Sequence, residues 1–128
     1  MSVVGGEYIT ISGCEIYNIS GMAPQYGIDI EPDGDFRHAI NITIDDCYIH
    51  DNGVGDIVLS GTCLSTKNLI ENVKISNCTL SKLNFSGKID SDGIWGATDC
   101  FVSNSYIGTV YTQSPVPFRM SNCKLDFV

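Results

Sequence analysis

Apolar residues recur at every second position in short runs along this chain, and each run ends at a polar pair. Ile9-Thr-Ile11, Ile42-Thr-Ile44 and Val73-Lys-Ile75 all alternate in this way. A period of two sends alternate side chains to one face, so each run predicts a β-strand with one buried side. No apolar period of 3.6 residues is sustained, so helices are not expected. The polar pair belongs to a longer repeat. Ile11-Ser-Gly-Cys14-Glu-Ile16 recurs as Ile44-Asp-Asp-Cys47-Tyr-Ile49 and Ile75-Ser-Asn-Cys78-Thr-Leu80. It recurs again as Val102-Ser-Asn-Ser105-Tyr-Ile107 and Met120-Ser-Asn-Cys123-Lys-Leu125.

Gly13, Asp46, Asn77, Asn104 and Asn122 share one position of this template. Gly, Asn and Asp tolerate left-handed backbone angles best, so that position predicts a sharp corner. After the corner the Cys or Ser points inward and a second short strand begins. Strand, one-residue corner and strand together describe the coil of a β-helix. The Cys/Ser positions are spaced by 33, 31, 27 and 18 residues. Helical solenoids and hexapeptide β-helices keep a fixed period, whereas this variation fits a right-handed parallel β-helix with loops at its other corners. The expectation is an all-β domain over 1–128, with about four to five coils. The 18-residue last step predicts a reduced final turn. Third strands are expected at Gly27–Ile30, Asp56–Leu59, Gly93–Trp95 and Thr109–Tyr111.

Stacked coils would place Cys14, Cys47, Cys78 and Cys123 in an inward ladder at about 4.8 Å. Parallel in-register neighbours point the same way, so buried free thiols are expected. Cys63 and Cys100 lie off the ladder, where a bond between them stays open. A thiol-rich core fits synthesis in a reducing cytoplasm. None of the six cysteines forms a Cys-x-x-Cys pair, which sets zinc aside. The formal net charge is −8, and eight of the fifteen carboxylates fall between Asp29 and Asp56. An acidic surface repels phosphate backbones, so nucleic acid is not an expected partner. The apolar runs are too short for membrane insertion. A tube of so few coils exposes unpaired backbone at its ends. The expectation is a segment of a longer protein, or ends and sides covered by other copies, most naturally in a homotrimer.

The five template copies and Tyr26-Gly-Ile-Asp-Ile-Glu-Pro32 resemble the pectate-lyase-like superfamily of right-handed β-helices. The closest flavour is that of phage tailspikes, appendage proteins and bacterial carbohydrate-active enzymes. The resemblance covers Tyr8 to Leu125. It implies surface polysaccharide as the partner, recognised and, in an enzyme, cleaved; the place implied is a virion or the cell exterior. The fold also hosts inert fibres, so a ligand-free structural shaft is the alternative. Polygalacturonase-like hydrolases carry Asn-Thr-Asp ahead of a Gly-Ile-Asp-like strand, and Gly-His-Gly and Arg-Ile-Lys elsewhere. Here Gly27-Ile28-Asp29 matches, Tyr26 replaces the preceding Asp, and the two other motifs are absent. The alginate-epimerase-like Tyr-Gly-Phe-Asp-Pro-His is met at Tyr26, Gly27 and Asp29, with Ile30 and Glu31 in place of Pro and His.

If the third strands stack in register, Ile28, Ile57 and Ile94 point inward and Asp29, Val58 and Trp95 share an outer face. That face would also hold Glu31, Asp56 and Asp92, with Tyr26 nearby. Carboxylates paired across coils suit glycoside hydrolysis, which makes Asp29, Glu31, Asp56 and Asp92 the catalytic candidates. Trp95 and Tyr26 offer flat rings to a sugar. No cofactor is expected. The oxygen-rich run Asp29, Glu31, Asp33 and Asp35 keeps Ca²⁺ open, and with it a calcium-dependent lyase. His38 and His50 show no nucleophile-and-carboxylate pattern, so a Ser-His-Asp arrangement is not supported.

Overall fold

In a computed structural model the chain winds as a stacked parallel β-helix. The structure describes residues 1–32, 37–61, 69–87, 97–112 and 118–127. Among them there is no helix, and every strand pair is parallel. The first coil comprises β1 (Ser2–Val3), β2 (Gly6–Ser12) and β3 (Glu15–Tyr17). The second repeats it with β4 (Tyr26–Ile30), β5 (His38–Asp45) and β6 (Tyr48–His50). The third uses β7 (Gly55–Gly61), β8 (Leu69–Ser76) and the start of β9 (Thr79–Gly87). The end of β9 opens the fourth, followed by β10 (Ala97–Thr98), β11 (Cys100–Ser103) and β12 (Tyr106–Thr112). β12 runs on into the fifth coil, completed by β13 (Phe118–Ser121) and β14 (Lys124–Phe127).

The predicted corner is present in all five copies. Gly13, Asp46, Asn77, Asn104 and Asn122 have φ between 49° and 62°. The following Cys or Ser has a specific task there. Its Sγ or Oγ donates to the carbonyl two residues back: Cys14 to Ser12 at 3.3 Å, Cys47 to Asp45 at 3.3 Å and Cys78 to Ser76 at 3.1 Å. Ser105 donates to Ser103 at 2.8 Å and Cys123 to Ser121 at 3.4 Å. A small side chain with one S–H or O–H donor fits both the tight interior and that carbonyl. Cys14, Cys47, Cys78 and Cys123 are free thiols. Burial pushes Cys78 up to about 11 and Cys100 up to about 12, so both stay protonated and inert near neutrality.

A second left-handed ladder was not foreseen from the sequence. Tyr8, Asn41, Asn72 and Asp99, six residues before each Cys/Ser position, have φ from 53° to 58°. They kink β2, β5 and β8 and separate β10 from β11. Asn72 donates from Nδ2 to Asn41 Oδ1 at 2.5 Å, linking two rungs. Among the described residues a third corner, at Asn18 and Asp51, occurs in the first two coils alone. The matching positions downstream are Lys82 and Thr109, which pair with each other inside continuous strands β9 and β12.

This continuity corrects two expectations. The strand beside β7 is the second half of β9, with Ile57↔Leu83, Val58↔Asn84 and Leu59↔Phe85 in register. It is not Gly93–Trp95, which lies outside the described residues. The 18-residue last step is a full circuit rather than a reduced turn, because β12 supplies two strands with no outward loop between them. The core consists of aliphatic stacks. Ile9, Ile42 and Val73 form one, Ile11, Ile44, Ile75, Val102 and Met120 another. Ile16, Ile49, Leu80, Ile107 and Leu125 form a third.

Candidate functional site

β4 and β7 lie side by side with Ile28↔Ile57, Asp29↔Val58 and Ile30↔Leu59 in register. Ile28, Ile30, Ile57 and Leu59 face the core and are fully buried. By alternation Asp29, Glu31, Val58 and Ser60 belong to the outer side, and Tyr26 lines the same groove although it shares the parity of Ile28 and Ile30. Gly27 beside Tyr26 has no room for a side chain: a Cβ there would lie 2.6 Å from Ile49 Cγ2 and 2.9 Å from the Asp56 carbonyl oxygen. The outer side forms a groove of about 400 Å³ lined by Tyr26, Asp29, Glu31, Val58 and Ser60, with Pro24 and Gln25 from the segment before β4.

Three of the expected site residues, Tyr26, Asp29 and Glu31, thus meet in one groove. Ser60 Oγ donates to Glu31 Oε1 at 3.3 Å, across the two coils. Asn84 Nδ2 donates to the Tyr26 hydroxyl at 3.0 Å, fixing the ring from a third coil. Asp29 is 4% exposed, so only an edge of its carboxyl faces the groove. The arrangement offers a phenol ring, two carboxyls and a hydroxyl over an apolar floor at Val58. Such a set can hydrogen-bond sugar hydroxyls and rest a ring face on Tyr26.

Asp56 is not among the residues that line this groove. It is 1% exposed, and its Oδ2 accepts the backbone N–H of Ser81 at 2.6 Å and of Lys82 at 3.1 Å. Asn52 Nδ2 donates to its other oxygen at 3.0 Å. The expected face uniting Asp29 with Asp56 is therefore corrected: backbone amides of the next coil engage Asp56. The partner of Val58 on that face is Asn84 rather than Trp95. Asp92, Trp95, Cys63, Asp33 and Asp35 all lie outside the described residues. Among the described residues no group of three His, Cys, Asp or Glu could hold a metal ion.

Sequence reasoning set His50 aside, yet it sits at the centre of a cluster. Its ring stacks on Tyr48 at 4.0 Å and 22°, and on Tyr17 at 5.2 Å and 8°. Nδ1 lies 2.7 Å from Asp51 Oδ2 and Nε2 3.2 Å from Glu15 Oε1. The Asp51 hydrogen bond, helped by Glu15, raises the imidazole above its ordinary pKa. Both nitrogens face carboxylates, which favour the protonated ring. The signal was present in the template, since Glu15, Tyr17, Tyr48 and His50 occupy the outward positions one and three residues after the ladder cysteine.

No curated protein and no solved structure shows a match to this chain. The family model described as right handed beta helix region matches residues 2–126. With its five stacked corners and its parallel sheets, the chain belongs to the right-handed β-helix family.

Proposed function

We propose that this β-helix recognises surface polysaccharide outside the cell, using the outer groove of β4 and β7. The observation that carries the reading is the meeting of Tyr26, Asp29, Glu31 and Ser60 in one open groove. A β-helix presents neighbouring coils about 4.8 Å apart, an interval close to that of an extended pyranose chain. A glycan lying along the tube could therefore meet equivalent positions in successive coils. Asp29 and Glu31 are the two carboxyls that acid-catalysed cleavage would use.

The second reading is a structural shaft, favoured by the near-complete burial of Asp29 and by the engagement of Asp56 with backbone. Titrating bacterial surface polysaccharides against the chain, and against Tyr26→Ala and Glu31→Gln, separates the two. Binding that weakens in both variants, with melting unchanged, supports recognition. Absence of saturable binding in the unmodified chain supports the shaft.

A further inference from the structure

A second groove, of about 430 Å³, follows the left-handed corner on another side of the tube. Glu15, Asp46, Tyr48, Asn77 and Thr79 border it, from three successive coils. None of these residues lines the Tyr26 groove. Tyr48 stands in register with Glu15 on one side and Thr79 on the other.

Tyr48 is 48% exposed but firmly seated. His50 stacks on its ring and Tyr17 in turn stacks on His50, and neither lines the groove. Asp51 and Glu15 hold the His50 ring through its two nitrogens. The ring that borders the groove is therefore fixed before any ligand arrives. That spares part of the ordering cost of binding. An amphipathic ring seated at the wall of a polar groove suits a ligand with a flat C–H face and a rim of hydroxyls. Thr79 and Asn77 supply donors and acceptors, Glu15 and Asp46 supply acceptors, and among the described residues no cationic side chain lines the groove. Carboxylated or sulfated ligands would be repelled.

We propose that this corner groove is a binding site for neutral glycans, with Tyr48 as the stacking platform and His50 as the residue that positions it. The site is separate from the Tyr26 groove and does not depend on it. The test is chemical-shift mapping of the unmodified chain with cellooligosaccharides and chitooligosaccharides, with oligogalacturonate as the acidic control. Saturable shifts centred on Tyr48 and Thr79 with a neutral probe, and none with the acidic one, are the expected result. Tyr48→Ala should weaken binding about tenfold or more, a loss of roughly one aromatic contact. Tyr48→Phe should retain binding, and His50→Gln should weaken it about threefold by loosening the ring. Tyr26→Ala should leave it unchanged. Shifts confined to the Tyr26 groove would overturn this inference while sparing the function proposed above. Absence of saturable shifts at Tyr48, or undiminished binding by a folded Tyr48→Ala chain, would overturn it as well. The mapping uses the unmodified chain, so the result stands even where a variant fails to fold.

Discussion

Asp56 reaches from one coil to the next and accepts the backbone N–H of Ser81 at 2.6 Å. The reason lies in a mismatch between coils. The second coil leaves the tube between Asp51 and Val54, while β9 passes the same corner as a continuous strand. The amides of Ser81 and Lys82 face the gap so created, and the Asp56 carboxylate fills it. Buried amides need partners, and a carboxylate provides strong ones.

Replacing Asp56 with Ala should therefore destabilise the fold by about 3 kcal/mol, since two amides lose a charged acceptor. Asp56→Asn, which keeps one acceptor oxygen, should cost about half as much. Chemical denaturation of the two variants checks the order and the size.

Tyr8 is the one bulky rung in the ladder it forms with Asn41, Asn72 and Asp99, adopting φ 57° with its side chain 79% exposed. A large side chain strains that backbone region. Tyr8→Asn should stabilise the chain by about 1 kcal/mol. The opposite change at an established rung, Asn72→Ala, should cost about 1–2 kcal/mol, because it removes the link to Asn41 as well. Thermal melting of both variants decides the matter.

The His50 cluster sets a pH dependence. Its imidazole titrates above the ordinary value because Asp51 and Glu15 favour the cation. A raised folded pKa means that folding favours the protonated form. This contribution is fully present below the unfolded value of about 6.5 and is lost as the pH rises through the folded value. Stability should fall across that interval, and Asp51→Asn should flatten the change. An NMR titration of His50 should show the raised midpoint in the unmodified chain and a lower one in Asp51→Asn.

Thiol reactivity should follow depth. Cys14 and Cys123, half-buried in the outermost rungs, should be labelled by maleimide in the folded state. Cys78 and Cys100, pushed to about 11 and 12, should react only after unfolding. Cys78→Ser should cost less than Cys78→Val, because Ser105 already performs the same corner bond through its hydroxyl. Peptide mapping after labelling, and melting of the two variants, test both statements.

The corner was legible because left-handed geometry selects so few residue types. Gly13, Asp46, Asn77, Asn104 and Asn122 declare it directly. The parity of Ile28 and Ile30 likewise put Asp29 and Glu31 on one side, whereas Tyr26 joins them against that parity. The strand through β9 was hidden by a slip in alternation: Leu80 and Leu83 both face the core with two residues between them, which reads as a loop. The engagement of Asp56 was hidden for a different reason. It depends on the presence of a loop in one coil and its absence in the next, a relation between coils that no local pattern contains. The His50 stack needed register as well as parity, because Tyr17 and Glu15 reach it from β3 in the preceding coil.

One corner position acts as a switch for architecture. With Asn18 or Asp51 the chain turns away from the tube; with Lys82 or Thr109 it keeps to the wall. The neighbouring strands stay in register either way, so the wall does not notice what is hung on it. Shape at this edge is therefore modular: appendages can be added, lengthened or deleted coil by coil while the scaffold beneath keeps its pitch. A protein built like this can change what it displays without having to reinvent how it stands.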